Sequence, residues 1–298
     1  MITEKNLQEE LDKLFLTEEI NTQKFNKTIL VLSGGGVKGL AHLGALHVLC
    51  EHNIFYNINT YAGSSIGGLI SALLIIGYLP KELYDFFNGI NLKKLESLEL
   101  SNLLNLFGLD DGKKMELVIK KLIIAKNIDP YITLSDLYKM TNKTLIITTV
   151  CLNDKKVYYF SHMTKPELPL IIALRMTISI PIYFVPVKYQ NQLFIDGGCL
   201  DNYPIQLFDN QLEKVIGINL SEVKDKIDNF DNIENYLLNV IDCLIQGITS
   251  NSTRGYEKYT IPVKVDNISV INFSIDHTIK EKLFNDGYKV MLEYLKSL

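Results

Sequence analysis

The run Gly63-Ser64-Ser65-Ile66-Gly67 limits how this chain can fold more than any other part of the sequence. It joins a short apolar segment to a long one, which predicts a strand, a sharp turn and a helix. The run matches G-x-S-x-G, in which the serine sits on strained backbone and needs small residues two positions away on both sides. Only Ser65 has them, and its Oγ would stand at the helix N-terminus, where negative charge is stabilised. A purely structural turn fits the same residues.

A glycine-rich loop, residues 33–39, lies upstream of this turn. It follows the continuous apolar run 28–32, which predicts a buried strand, and precedes a helix that extends to about Glu51. Three of its glycines have the G-x-G-x-x-G spacing of a dinucleotide-binding loop, but the next predicted strand, 58–62, ends without the acid that would hold a ribose. A tight structural turn is a second interpretation. The third is an oxyanion hole built from the backbone N–H groups of three consecutive glycines: Gly34, Gly35 and Gly36.

The order strand, helix, strand, helix predicts a parallel sheet with right-handed crossovers. The helix predicted over 66–77 is apolar on all sides and is expected to be buried. The glycine loop and the serine turn both follow parallel strands, so both should lie at the same edge of the sheet, where ligands bind in α/β folds. An ester carbonyl at Ser65 would then lie beside the N–H groups of the loop, as acyl transfer requires.

Ser65 needs a base to act as a nucleophile, and the sequence offers two candidates. His277 lies late in the chain and would complete a Ser-Asp-His order, but no motif surrounds it. Asp196 ends a predicted strand and is followed by Gly197 and Gly198, so little side-chain bulk would crowd its carboxylate. The structural alternative for Asp196 is a hairpin turn, since Asp-Gly favours one.

The rest of the chain shows further elements and two segments of open interpretation. Periodicity and turn residues predict strands over 144–151, 156–161, 192–195, 214–219, 260–265 and 269–273, and helices beginning at Pro80 and spanning 113–125, 168–178, 233–250 and 279–297. The stripe of the last helix predicts docking on the sheet. Residues 221–232 are polar and acidic, which favours a solvated loop. The leucine-rich segment 95–109 fits either buried packing or a lipid-facing lid.

Composition and charge exclude several classes of function. The net charge of −4 argues against a nucleic-acid binder, which usually shows a basic face. The four cysteines lie far apart without a Cys/His cluster, so we expect no metal site. The longest apolar stretch, Leu69 to Leu79, is about half the length that spans a bilayer, and the N-terminus has no apolar core of a secretory signal. We therefore expect a cytoplasmic protein, soluble or peripherally associated with a membrane.

Four motifs follow one another between about Thr28 and Leu207, and together they are far more specific than any one of them. They are Ser-Gly-Gly-Gly-Val-Lys-Gly, Gly-Ser-Ser-Ile-Gly, Ser-Ile-Pro-Ile-Tyr-Phe-Val-Pro and Asp-Gly-Gly-Cys-Leu-Asp-Asn-Tyr-Pro. In this order they resemble the patatin-like phospholipase family. The resemblance implies a three-layer α/β/α fold with a mostly parallel central sheet. We expect that domain over residues 25–298, after an N-terminal helical extension over residues 1–24.

By the same resemblance, the activity is that of a metal-independent serine lipid acyl hydrolase without a cofactor. Ser65 would be the nucleophile and Asp196 its partner in a dyad without histidine, beside an oxyanion hole formed by Gly34, Gly35 and Gly36. The positions implied to support this site are Lys38, Gly39, Gly63, Gly67, Gly197 and Gly198. The implied substrate is a phospholipid or another acyl lipid, reached by transient contact with a membrane surface. An ordinary aspartate, with a pKa of about 3.9, is a poor base at neutral pH, so much of the catalysis would come from the oxyanion site.

Two other functions remain open on the sequence. One is an esterase of the α/β-hydrolase type that uses His277 in a Ser-Asp-His triad. The other is a non-catalytic module that binds a lipid or a nucleotide through the glycine loop.

Overall fold

The computed structural model describes residues 26–222, 233–266 and 268–297. The N-terminal extension over residues 1–24 and most of the acidic loop over 221–232 lie outside them. The strands are β1 Ile29–Leu32, β2 Thr60–Ser64, β3 Gly108–Asp110, β4 Thr144–Cys151, β5 Lys156–Phe160, β6 Ile182–Phe184, β7 Val187–Tyr189, β8 Gln192–Asp196, β9 Val215–Glu222 and β10 Thr260–Val265. The helices are α1 Gly39–Glu51, α2 Ile66–Ile75, α3 Pro80–Gly89, α4 Leu100–Leu106, α5 Lys113–Ala125, α6 Leu134–Thr141, α7 Leu170–Thr177, α8 Ile233–Ser252 and α9 His277–Lys296.

The main sheet has the strand order β10-β9-β1-β2-β4-β8-β7, and β5 pairs with β4 in addition. The pairs from β10 to β4 are parallel, whereas β8, β7 and β5 join through antiparallel pairs. This confirms the mostly parallel central sheet. Strands β3 and β6 form a separate parallel pair.

Alternate residues of β1 face two different hydrophobic clusters, because successive side chains of a strand point to opposite faces of the sheet. Leu30 and Leu32 belong to the larger cluster, which contains much of α1 and α2. Ile29 and Val31 pack in a smaller cluster around Tyr203 on the other face. The sheet is therefore covered on both faces, as a parallel sheet requires.

The arrangement of two helices agrees only in part with the sequence. Helix α2 is buried along nearly its whole length, as its continuous apolar sequence predicted. Helix α9 packs against β10 but also lies along α1, where the Tyr288 hydroxyl donates a hydrogen bond of 2.9 Å to Glu51. Much of its apolar stripe therefore covers a helix rather than the sheet.

Several segments differ from the sequence predictions, and the short strands β3, β6 and β7 were not predicted. Helix α6 was not anticipated. Residues 269–273 form no strand; the carbonyl of Val270 instead accepts a hydrogen bond of 3.1 Å from the N–H of Val37, beside the glycine loop. The middle of the leucine-rich segment forms α4, which contains no buried residue. Leu109 is buried and Leu95 packs against the core, so burial accounts for the leucines at the ends of the segment but not for those of α4. In the described parts of the chain, no helix combines the length and apolar character needed to cross a bilayer.

Candidate active site

Ser65 occupies the turn between β2 and α2 in a backbone conformation that few L-residues adopt, with φ of 52° and ψ of −125°. Its N–H donates a hydrogen bond of 2.8 Å to Oγ1 of Thr177, whose hydroxyl donates in turn to the carbonyl of Thr148 at 2.7 Å. A Cβ on Gly63 would overlap the backbone of Gly67, so the two glycines of the motif allow the strand and helix to meet. The strain at Ser65 is thus maintained by packing and hydrogen bonds on both sides of the turn.

The Ser65 hydroxyl donates a hydrogen bond of 2.6 Å to Oδ2 of Asp196. Oδ1 of the same carboxylate accepts 2.8 Å from the N–H of Gly198. Both side chains are buried, and Asp196 is only 1% exposed. The structure therefore brings together the two residues that the sequence analysis paired, 131 positions apart.

The register of β4 explains this meeting. Thr148 pairs with Ser64, the last residue of β2, and the next residue, Thr149, pairs with Asp196, the last residue of β8. Strand β5 pairs with β4 across both positions, so β2 and β8 must follow one another along the opposite edge. The end of β2 therefore meets the end of β8 at adjacent positions of the sheet, which leaves Ser65 beside Asp196.

Burial raises the pKa of Asp196 from 3.8 to about 7, although the hydrogen bonds from Ser65 and Gly198 favour the charged form. Gly197 and Gly198 keep the surroundings of this carboxylate tight. A Cβ on Gly197 would meet Oγ of Ser64, and one on Gly198 would meet Oδ1 of Asn202. A carboxyl group with a pKa near neutrality can accept and return a proton at neutral pH.

The glycine loop lies against Ser65, since a Cβ on Gly34 would come 3.1 Å from the Ser65 Cβ. The N–H of Gly34 already donates to the carbonyl of Asn202 at 3.0 Å. It is therefore not available to an oxyanion in this arrangement, unlike the sequence expectation for this residue. Within the described residues, no acceptor contacts the N–H groups of Gly35 and Gly36. Both residues line the same cavity as Ser65 and Asp196.

Lys38 and Gly39 connect the loop to α1. The N–H of Lys38 donates 3.1 Å to the carbonyl of Gly35, which closes the turn. The side chain of Lys38 is buried, and this burial lowers its pKa to about 8, opposed by the nearby charge of Asp242. A Cβ on Gly39 would overlap the side chain of Ile66, so glycine lets α1 approach the start of α2.

Two cavities meet at Ser65. The larger has a volume of about 750 Å³ and is bordered by the glycine loop, Asp196 and one side of α8. Its polar side chains include Lys38, Asn202, Asn219, Ser221, Asp242 and Gln246. The smaller, of about 80 Å³, is lined almost entirely by apolar side chains, among them Leu69, Leu92 and Phe184.

His277 does not lie in either cavity. It is exposed at the start of α9, where its Nε2 contacts the Asn88 side chain at 3.0 Å. His42, by contrast, is fully buried behind the loop; its Nε2 donates 2.9 Å to the Ser33 carbonyl, and burial lowers its pKa to about 4. A neutral His42 therefore supports the loop from behind. Within the described residues, no group of three or more metal-ligating side chains comes together.

Two residues of the site escaped the sequence analysis. Oγ1 of Thr177 accepts the hydrogen bond of the Ser65 N–H. The backbone carbonyl of Asn202 accepts a hydrogen bond from the Gly34 N–H, and its side-chain Nδ2 donates to Thr249 of α8 at 2.7 Å. Asn202 stands inside the fourth motif and Thr177 two residues before the third. Their positions in or next to these motifs could have indicated a role in the site, but the sequence alone did not show which groups they hydrogen-bond.

Comparisons with known proteins agree with one another. Residues 30–209 match the family model described as patatin-like phospholipase. An uncharacterized protein of Acanthamoeba polyphaga mimivirus is 32% identical over 282 residues, which cover 90% of this chain and 94% of that protein. A probable lipid hydrolase of Invertebrate iridescent virus 6 is 37% identical over 192 residues, or 62% of this chain and 63% of the relative.

Two solved structures have a similar fold at low sequence identity. VipD from Legionella pneumophila has a TM-score of 0.59 at 18% identity, over 91% of this chain and 67% of VipD. The type III effector ExoU has a TM-score of 0.54 at 15% identity, over 91% of this chain and 53% of ExoU. This chain thus spans about half of ExoU, and both likenesses concern the fold alone.

Proposed function

Because this chain belongs to the patatin-like phospholipase family, we propose that it is a serine lipid acyl hydrolase that cleaves fatty-acyl esters through Ser65 and Asp196. Family membership and the similarity to a probable lipid hydrolase support hydrolysis of lipids in general. The observation that carries the finer proposal is the 2.6 Å hydrogen bond from Ser65 to a buried carboxylate, beside two N–H groups that have no acceptor in the described residues.

In the proposed first step, Asp196 accepts the Ser65 proton while Oγ attacks the ester carbonyl carbon. The carbonyl oxygen gains negative charge and accepts hydrogen bonds from the N–H groups of Gly35 and Gly36, assisted by the N-terminus of α2. When the tetrahedral intermediate collapses, the carboxyl group of Asp196 returns the proton to the departing alkoxide. The acyl group remains on Ser65 as an ester.

In the second step, water attacks the acyl-enzyme and gives its proton to Asp196. The new tetrahedral intermediate collapses to a fatty acid, and the proton returns to Oγ of Ser65. The raised pKa of Asp196 supports both steps, because an acid and base that alternates roles works best near the operating pH. The weak basicity expected of an ordinary aspartate is therefore not the obstacle that the sequence alone indicated.

The two cavities support an acyl lipid as the substrate. The small apolar cavity beside Ser65 offers apolar contacts to the few methylene groups next to the ester carbonyl, whereas the larger one offers hydrogen-bonding groups to the alcohol part. The exposed position of His277, with Asn88 and Glu281 as its neighbours, favours the dyad over a Ser-Asp-His triad.

The test is hydrolysis of phosphatidylcholine, lysophosphatidylcholine and triacylglycerol by the wild type, with the released products identified by mass spectrometry. Ser65→Ala and Asp196→Asn should abolish product release, while His277→Ala should retain it. Activity that survives Asp196→Asn but not His277→Ala would reject the dyad in favour of the triad. Lipid binding without hydrolysis in the wild type would favour the non-catalytic module.

A further inference from the structure

The helix α4 and the residues around it expose an unusual amount of apolar surface. We name residues 98–107 the apolar tip. Its most exposed members are Leu104 at 76%, Leu100 at 69% and Phe107 at 65%, and Leu98 and Leu106 are exposed as well. Isolated exposed leucines are ordinary, but five large apolar side chains within ten residues indicate a binding surface.

The base of the tip is firmly attached to the rest of the fold. Leu98 and Asp110 form an antiparallel bridge, and the N–H of Glu99 donates 2.9 Å to the carbonyl of Leu109. Strand β3, which directly follows the tip, pairs with β6, and the Tyr183 hydroxyl of β6 donates a hydrogen bond of 2.9 Å to Glu96. The tip therefore projects from an anchored base.

The backbone conformation of Phe107 is a second observation that indicates a binding surface. It ends α4 with φ of 68°, in the left-handed region where a bulky aromatic residue is strained. The strained conformation leaves the ring mostly in solvent, so no burial within the described fold offsets it. Contact with an apolar partner outside this chain would offset it.

Charge and position indicate which partner. The exposed lysines Lys93 and Lys94 precede the tip, and Lys114 follows it with its Nζ on the carbonyl of Glu96 rather than on a carboxylate. Glu99 is the one charged residue inside the tip, and Asp111 beyond it pairs with Lys113. Apolar side chains flanked by lysines match the interface of an anionic bilayer, where the chains enter the acyl region and the ammonium groups meet phosphates.

The tip also adjoins the site. Leu95, three residues before it, and Met115, eight residues after it, line the small apolar cavity that Ser65 also lines. A bilayer in contact with the tip would thus lie next to the cavity that the fatty-acyl chain is proposed to enter. We propose that the apolar tip inserts into the surface of an anionic membrane and brings its lipids to Ser65, an inference that rests on the proposed lipid hydrolase function.

The test measures binding to vesicles of phosphatidylcholine with phosphatidylglycerol, using Ser65→Ala protein so that the lipid remains intact. Adding Leu104→Ser and Phe107→Ser should weaken binding by roughly 100-fold, since each buried side chain contributes about tenfold or more. The matched control is Tyr56→Ser with Met140→Ser, which also removes two exposed apolar side chains. These residues precede β2 and β4, so they lie at the ends of the strands opposite to Ser65. This control should bind as the parent does.

Lys93→Gln with Lys94→Gln separates the charge contribution. It should weaken binding to the mixed vesicles by about fivefold for each lysine and leave binding to pure phosphatidylcholine unchanged. Equal binding by the tip variant and its parent would overturn the inference. A second contradicting result would be a parent protein that is a dimer in light scattering and does not bind vesicles, with a tip variant that is a monomer. The tip would then contact a second copy of the chain.

Activity assays keep this inference distinct from the proposed function. For the activity assays, Leu104→Ser and Phe107→Ser are introduced into protein that keeps the wild-type Ser65. This tip variant should hydrolyse a soluble short-chain ester such as p-nitrophenyl butyrate at the wild-type rate and lose activity on vesicles. A wild type that binds vesicles through the tip but hydrolyses no ester would refute the proposed function and leave the inference intact. Equal loss on both substrates would contradict the inference.

Discussion

Replacing Asp196 with asparagine should stabilise the protein at neutral and alkaline pH while it removes activity. Burial raises the pKa of this carboxyl group from 3.8 to about 7, so the charged form is disfavoured in the folded state. This displacement corresponds to about 4 kcal/mol against the carboxylate. Asparagine has nearly the same shape and can still accept from the Gly198 N–H, but it carries no charge.

The pH dependence follows from the protons bound in each state. Between the unfolded pKa near 4 and the folded pKa near 7, the folded protein holds a proton that the unfolded chain has released. The free energy of unfolding of the wild type therefore falls as pH rises through that window. Between about pH 5 and about pH 8 the fall amounts to roughly 2–3 kcal/mol, and the asparagine variant should not share it.

The assay is urea unfolding of both proteins at these two pH values, followed by circular dichroism. The stability of Asp196→Asn relative to the wild type should increase by roughly 2–3 kcal/mol from the acidic to the alkaline condition. Ser65→Ala is the matched control, because it is also inactive but keeps the titrating carboxyl group. A stability difference that stays constant with pH would refute a buried carboxyl group with a raised pKa.

Three further predictions concern the same site. For the wild type, kcat/KM should rise with pH up to about 7 and then level off, because only the carboxylate form of Asp196 accepts the Ser65 proton; a flat pH–rate profile across this range would contradict the assignment. Thr177→Ala should lower the free energy of unfolding by about 1–2 kcal/mol and reduce kcat, since the Ser65 N–H loses its acceptor, while Thr177→Ser should restore both in unfolding and kinetic assays. Gly36→Ala should lower the melting temperature strongly, because its φ is 55° and the added Cβ would overlap the Val270 carbonyl; a melting temperature equal to that of the wild type would contradict the loop geometry.

The local elements around Ser65 could be predicted because their signals are contained in short windows. The buried strand β1, the buried helix α2 and the tight turn between β2 and α2 each follow from a few consecutive residues. The predicted boundaries moved by about two residues at β2, which is the usual uncertainty of element ends.

The meeting of Ser65 and Asp196 could not be worked out from local patterns. It depends on β8 following β2 along one edge of β4, a register between segments far apart in the chain. The local residues offered both Asp196 and His277 as candidate bases, and the resemblance of four ordered motifs to a known family selected Asp196. The hydrogen bond from Gly34 to Asn202 is non-local in the same way, so nothing in the loop itself distinguished Gly34 from Gly35.

The exposed leucines of the apolar tip show a second limit. Leucine spacing in a short segment is similar whether the side chains enter a core or point to solvent, and the outcome depends on which other parts of the chain pack against them.

The strand predicted over residues 269–273 was wrong for a related reason. An apolar run predicts a strand, but here the Val270 carbonyl accepts a hydrogen bond from the N–H of Val37, and residues 269–273 join no sheet in the described part of the chain.

The most direct test of the central claim is to treat the protein with a fluorophosphonate and to map the adduct by peptide mass spectrometry. The Ser65–Asp196 dyad predicts one adduct, on Ser65, that forms rapidly in the wild type, forms far more slowly in Asp196→Asn and forms at the wild-type rate in His277→Ala. An adduct on another residue, or labelling of Ser65 that does not depend on Asp196, would contradict it.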